Sequence, residues 1–192
     1  MTARSAPQTE RRDPMNELRE FVKQRSVLRE GPYKLASGGA SSTFFDMKQS
    51  LLHPYGLNLV GELIYDLIRD DNIGAVGGLV IGACPIADVV SLKSLASSKP
   101  ISAFYVRKDR KATGTQSLIE GPKVASGNRV VVLDDVTTQG GSVLKAIEAV
   151  EREWHCEVVR VIAVVDREAG AMKTLGEAGY EFTPLFRMSE FM

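Results

Sequence analysis

The sequence predicts an α/β domain built on a parallel sheet flanked by helices. Three observations lead there. Apolar runs without alternation, at residues 75–81, 130–133 and 158–165, suit strands covered on both faces. Segments of helical period and length lie between them, so strands and helices take turns along the chain. Finally, VVVLDDVTTQGGS at 130–142 drives an apolar run into Asp134 and Asp135, then into a glycine-rich loop that opens a helix. In open parallel sheets that is where ligands sit, beyond the carboxyl ends of the strands.

The elements follow in order. Asp13-Pro14 predicts an N-cap and first helical position, and Leu18, Phe21, Val22 and Leu28 recur at helical spacing until Gly31-Pro32. Residues 33–48 read as irregular extended structure around Ser-Gly-Gly-Ala-Ser-Ser. A helix is predicted over 54–69, with Val60, Leu63, Ile64, Leu67 and Ile68 as its apolar stripe. A strand at 75–81, a helix at 85–97 and a strand at 101–106 come next. The polar stretch 107–128 is too long and too charged for an ordinary connection. Then follow the strand 130–133, a helix over 142–153, the strand 158–165, a helix over 169–178 and a last strand at 180–186.

Composition narrows the class. The chain has 192 residues, 44% of them apolar, and its 24 basic residues balance 24 acidic ones. That profile suits one soluble globular domain, and a formal charge of zero argues against a bulk nucleic-acid binder. The uncharged run over 73–87 falls short of the ~20 apolar residues of a membrane span. Cys84 and Cys156 lack metal-ligand spacing and sit in apolar contexts, so a reduced, cytoplasmic protein with buried thiols is expected. Residues 1–13 lack the apolar core of a secretory signal and are expected to form a disordered arm, leaving 14–192 as the domain. His53 and His155 are expected at the surface or at helix ends.

Two buried carboxylates need a partner. Small side chains at 137–142 let backbone amides approach an anion, hydroxyls add donors, and a helix N-terminus favours negative charge. Acids beside an anion cradle suit a ligand with two ends. A sugar phosphate gives its phosphate to the amides and its hydroxyls to the carboxylates, and hydrated Mg²⁺ at a pyrophosphate would suit the pair as well. A strand-end turn with solvated aspartates also fits these residues. Arg107, Lys108, Arg110 and Lys111 form a dense cationic run beside Gly114, suited either to gripping a pyrophosphate or to a solvated loop.

The same residues carry a resemblance. VVVLDDVTTQGGS resembles the phosphoribosyl pyrophosphate (PRPP) motif of type I phosphoribosyltransferases, with Thr137 and Gln139 as mild departures. FYVRKDRKATGTQSLIEGP, 104–122, resembles the mobile catalytic loop of the orotate phosphoribosyltransferases, with Thr113 in place of its histidine. LASGGASSTFFDMK, 35–48, is similar to the segment covering the base, with Ala36 where some members have lysine. VVDREAG, 164–170, is similar to the segment whose arginine meets orotate, and GGLVIGACPIA, 77–87, to the loop offering amides to pyrophosphate. The likeness spans roughly residues 15–187.

The resemblance implies the type I phosphoribosyltransferase-like fold, with a small hood formed by about 30–50 and the C-terminal strand. It implies transfer of the 5-phosphoribosyl group from PRPP to orotate, giving orotidine 5′-monophosphate and pyrophosphate. By carry-over, Lys108, Lys111, Asp134 and Asp135 are catalytic. PRPP is held by Arg107, Lys108, Lys111, Asp134, Asp135, Val136, Thr137, Thr138, Gln139, Gly140, Gly141 and Ser142. Orotate meets Phe44, Phe45, Thr138 and Arg167. Mg²⁺ is implied as cofactor, bound through PRPP and water with no direct protein ligand, and a homodimer sharing loop 107–121 between chains is implied as the active unit. The alternatives are a phosphoribosyltransferase for another base, or a PRPP-sensing regulator of this fold that does not turn over. Neutral charge and the lack of a basic helix argue against a regulator on nucleic acid.

Overall fold

In the computed structural model, residues 12–29, 31–34, 40–41, 44–110 and 117–192 are described. Six strands form the central sheet in the order β10-β9-β8-β5-β6-β7. These are β5 (Ala75–Leu79), β6 (Ser102–Val106), β7 (Ile119–Glu120), β8 (Arg129–Thr137), β9 (Glu157–Asp166) and β10 (Phe182–Arg187). All neighbours are parallel except β7, which turns back antiparallel on β6. Two short antiparallel ribbons precede the sheet: β1 (Val27–Leu28) pairs with β4 (Phe44–Phe45), and β2 (Tyr33–Lys34) with β3 (Ala40–Ser41).

Side chains alternate across the sheet, so each strand feeds two cores. Val131 and Leu133 of β8 join Val76, Ile162, Val164 and Phe186 beneath α1 (Pro14–Arg25), α3 (Pro54–Ile68) and α4 (Ala83–Lys93). Val130 and Val132 join Phe104, Val161, Ala163 and Phe182 beneath α5 (Gly141–Trp154) and α6 (Ala171–Glu177). This double burial explains why the strands read as apolar runs without alternation, interrupted in β9 by Arg160.

Several boundaries depart from expectation, each for a physical reason. α1 is capped as predicted, with Asp13 Oδ1 accepting the Asn16 amide at 3.1 Å. It stops at Arg25 rather than near Gly31, because Val27 and Leu28 pair with Phe45 and Phe44 and the buried Ser26 hydroxyl bonds Ser50 at 2.7 Å. Strand pairing there displaces helix. A one-turn helix, α2 (Lys48–Leu51), follows β4. His53 Nδ1 caps α3 by accepting the Tyr55 amide, and the buried stripe is Leu59, Val60, Ile64 and Ile68, leaving Leu67 exposed. His155 ends α5 in the left-handed conformation, at φ 54°. Cys156 is buried, but Cys84 is only partly so, because it lies at the sheet end in the first turn of α4.

The expected hood changes composition. The C-terminal strand is an edge strand of the main sheet, registered Phe182↔Val161 to Arg187↔Asp166, since the α6 crossover returns it parallel to β9. The turn after it reaches the N-terminal ribbons through Phe191, which lies against Phe45 at 5.7 Å between ring centroids. At the N-terminus Arg12 is tied to Glu17 and Glu62; the rest of the expected arm, 1–11, lies outside the described residues.

Candidate active site

Strand β8 does not end at Leu133, where the apolar run stops. Pairing with β9 continues to Thr137↔Asp166 and carries Asp134 and Asp135 as its last rungs. Both aspartates are half-buried. Asp134 Oδ1 accepts the Asp135 amide and Oδ2 the Thr137 hydroxyl, each at 3.1 Å. Burial, reinforced by the charge of Asp135, pushes the Asp134 carboxyl up to about 7. Asp135 Oδ1 accepts the Val136 amide at 2.9 Å, and its carboxylate lies against the backbone of Gly82. A Cβ at Gly82 would fall 2.2 Å from that oxygen, so the loop after β5 approaches the acid only because this residue is glycine.

The glycine loop then climbs to α5. Thr138 and Gln139 are exposed, Gly140 takes φ 84°, and Gly141 and Ser142 are exposed at the helix start. Among the described residues no side chain caps this end, so the first-turn amides point outward from a 14-residue helix. Thr137 is 1% exposed, with its hydroxyl spent on Asp134. Val136 packs against the core. Both hold the loop, and Thr138, Gln139, Gly141 and Ser142 are left exposed.

The loop after β9 is bound to the same place. The Arg167 amide donates to the Thr137 carbonyl at 2.9 Å and the Ala171 amide to the Thr138 carbonyl at 3.0 Å. The Arg167 side chain is exposed. Buried Asp166 accepts the Glu168 amide at 2.9 Å, which helps hold Glu168 at φ 56° and fixes the turn that presents Arg167.

Cations follow the end of β6. Arg107 pairs with Glu120 at 3.5 Å, and with Lys108, Val80 and Tyr105 it lines a cleft of about 340 Å³. The Tyr105 hydroxyl donates to Asp88, and burial together with that partner pushes its pKa to about 12, so the cleft wall is a fixed neutral phenol. Lys48 reaches the acidic side, lining with Gly82, Ile81 and Asp135 a small cavity of about 40 Å³ while paired to Asp46 at 3.1 Å. Nothing in the sequence flagged Lys48, Tyr105 or Asp88. A comparable cleft of about 330 Å³ lies beside Ile73 and Ile101, at the opposite ends of β5 and β6, away from the acidic pair.

The aromatic pair separates. Phe44 is 38% exposed and stacks near Tyr33 at 5.3 Å, whereas Phe45 turns inward to Phe191. Lys111 and Thr113 lie outside the described residues, as does Ala36. Among the described residues no three histidine, cysteine or acidic side chains group as a metal site.

An acidic strand end, an uncapped helix start and a cationic stretch after β6 lie at one end of this sheet, and the fold is that of the phosphoribosyltransferases. The phosphoribosyl transferase domain family matches residues 47–178. More narrowly, the chain belongs to the orotate phosphoribosyltransferases. It is 44% identical over 178 residues to the enzyme of that name from Bradyrhizobium diazoefficiens, covering 91% of this chain and 94% of that one. The orotate phosphoribosyltransferase of Mycobacterium tuberculosis H37Rv superposes with a TM-score of 0.82 at 36% identity, over 93% and 99% of the two chains. The same enzyme solved with PRPP superposes at 0.77 with 34% identity and the same coverage.

Proposed function

We propose that this chain transfers the 5-phosphoribosyl group of PRPP to orotate, releasing pyrophosphate and forming orotidine 5′-monophosphate in pyrimidine synthesis. The observation that carries the reading is that Asp134 and Asp135 sit at the end of β8, just ahead of the uncapped N-terminus of α5. The 5′-phosphate takes the amides and hydroxyls of Thr138 to Ser142, and the ribose hydroxyls donate to the two carboxylates. A ring nitrogen of orotate bonds to the anomeric carbon as the bond from that carbon to pyrophosphate oxygen breaks. Positive charge growing on the ribose is stabilised by the carboxylates, and negative charge on the leaving group by Arg107, Lys108 and Lys111. Arg167 offers its guanidinium fork to the orotate carboxylate. Phe44, by its exposure, is the better placed of the aromatic pair to cover the base, with Phe45 anchoring it from behind.

Mg²⁺ suits Asp134 and Asp135 as a hydrated ion, since a pair of carboxylates matches a cation carried mainly by pyrophosphate oxygens. It would supply charge neutralisation for the leaving group, with Asp134 and Asp135 accepting from its waters. The active unit is a homodimer in which loop 107–121 serves the neighbouring site, and the protein works in the cytoplasm. Among the described residues, no helix is long and apolar enough to cross a membrane.

The test is a base panel. With Mg-PRPP, orotate is expected to be turned over at least about a hundredfold better than uracil, hypoxanthine or adenine, since a site built for a carboxylate leaves its arginine unpaired with any other base. Equal turnover of another base would replace orotate in this reading.

A further inference from the structure

The cationic loop leaves β6 at Val106 and returns at β7, and one acidic side chain on α5 touches both of its described flanks. Glu153 Oε1 accepts Arg110 Nη2 at 2.7 Å. Its other oxygen, Oε2, accepts the Ser117 hydroxyl at 2.7 Å and the Leu118 amide at 3.1 Å. A backbone bond from the Arg107 amide to the Leu118 carbonyl, 2.8 Å, forms the rung below. The Glu153 side chain is only 14% exposed, against 50% for Arg110. Burial alone would raise this carboxyl, but the bonds from Ser117 and Leu118 and the charge of Arg110 hold it below the ordinary range, so it remains ionised.

The position is as informative as the contacts. Glu153 lies eleven residues beyond Ser142 on one helix, roughly 17 Å along the axis from the anion-binding end at ~1.5 Å per residue. Arg110 paired there stands apart from its own chain's phosphate loop. Sequence reading placed Arg110 with the pyrophosphate-gripping cations; its partner argues for a different task.

We propose that Glu153 is a positioning residue for the cationic loop, its two oxygens stapling the flanks at Arg110 and at Ser117–Leu118, and that Arg110 is part of this staple rather than a pyrophosphate ligand. The staple sets where Arg107 and Lys108 stand, and it rests on the reading of that loop as the leaving-group clamp. Splitting the work between two oxygens gives it a distinctive chemistry. Glutamine can keep an oxygen toward Ser117 and Leu118 while giving up the charge that holds Arg110.

The experiment measures kcat and KM for PRPP, pyrophosphate affinity by calorimetry and thermal midpoint for Glu153→Ala, Glu153→Gln, Arg110→Ala, the Ala double variant and Lys108→Ala. Misplacing the loop is expected to lower kcat about tenfold in Glu153→Ala and in Arg110→Ala, with pyrophosphate affinity little changed. The double variant is expected to be no worse than the poorer single one, as for residues acting as a unit, and Glu153→Gln to recover part of the loss. Pyrophosphate binding weakened by Arg110→Ala but not by Glu153→Ala would make Arg110 a ligand and overturn the proposal. So would unchanged kcat in Glu153→Ala. Should that chain fail to fold, Glu153→Gln and Arg110→Ala decide by the same criteria. Full activity in Lys108→Ala would instead remove the clamp reading on which the staple depends.

Discussion

Asp134→Asn is expected to make the empty protein more stable at alkaline pH while removing most of its activity. The Asp134 carboxyl is held at about 7 against an ordinary 3.8, first by burial and then by the charge of Asp135. A raised folded-state pKa favours the protonated acid. Its stabilising contribution is therefore complete below the ordinary value and is lost as pH climbs through about 7. At ~1.4 kcal/mol per pH unit, ionised Asp134 destabilises the empty fold by roughly 2–4 kcal/mol at pH 8, the lower figure allowing for relaxation and water entry. Asparagine carries no charge to desolvate. Its carbonyl can still accept the Asp135 amide, and its NH₂ can donate to the Thr137 hydroxyl, which both gives and takes hydrogen bonds. Urea denaturation of both chains at pH 5 and pH 8, without PRPP or Mg²⁺, measures the difference. The variant should gain on the native chain between these pH values. Equal stability at pH 8, or a native chain that strengthens relative to the variant as pH rises, would refute a strained Asp134.

Other expectations follow from the site. If its fork meets the base as proposed, Arg167→Ala should weaken orotate binding at least about tenfold and leave PRPP binding within a factor of two by calorimetry, since its backbone still supports the glycine loop; equal loss for both ligands would move Arg167 out of the base pocket. If the loop serves the neighbouring chain, inactive Lys111→Ala and inactive Asp135→Asn chains should regain activity after verified subunit exchange, and no recovery would assign each loop to its own chain. Thr113→His adds a donor able to carry charge near neutral pH, so it should raise turnover and introduce a dependence near the histidine value of ~6.5 in the pH–rate profile; a flat profile with unchanged rate would make that position a bystander.

Much of this was legible in the chain itself. Val130 to Leu133 reads as a strand because both faces are buried, and the helix after Gly141 shows its period plainly. What the sequence hid were contacts between distant segments. β8 runs on through Asp134 to Thr137 because β9 offers partners there, which no local propensity for aspartate would suggest. α1 breaks early because Leu28 finds Phe44, sixteen residues on. Thr137 looks like a loop hydroxyl and is a buried brace; Glu153 looks like a helix-surface acid and holds the flanks of the cationic loop. Phe44 and Phe45 are indistinguishable by type, and only the fold sends one outward and the other to Phe191. Local chemistry announces itself, whereas the direction a side chain takes depends on what packs against it.

The acidic pair is the centre of the account, and orotate-dependent consumption of Mg-PRPP by the folded Asp134→Asn/Asp135→Asn double variant tests it most directly. Removing both charges at the strand end should lower kcat/KM well beyond tenfold, as expected from ~2–4 kcal/mol for a preorganised electrostatic contact. Circular dichroism should remain native-like. Native kinetics in that folded variant would contradict the assignment of the strand end as the ribosyl site.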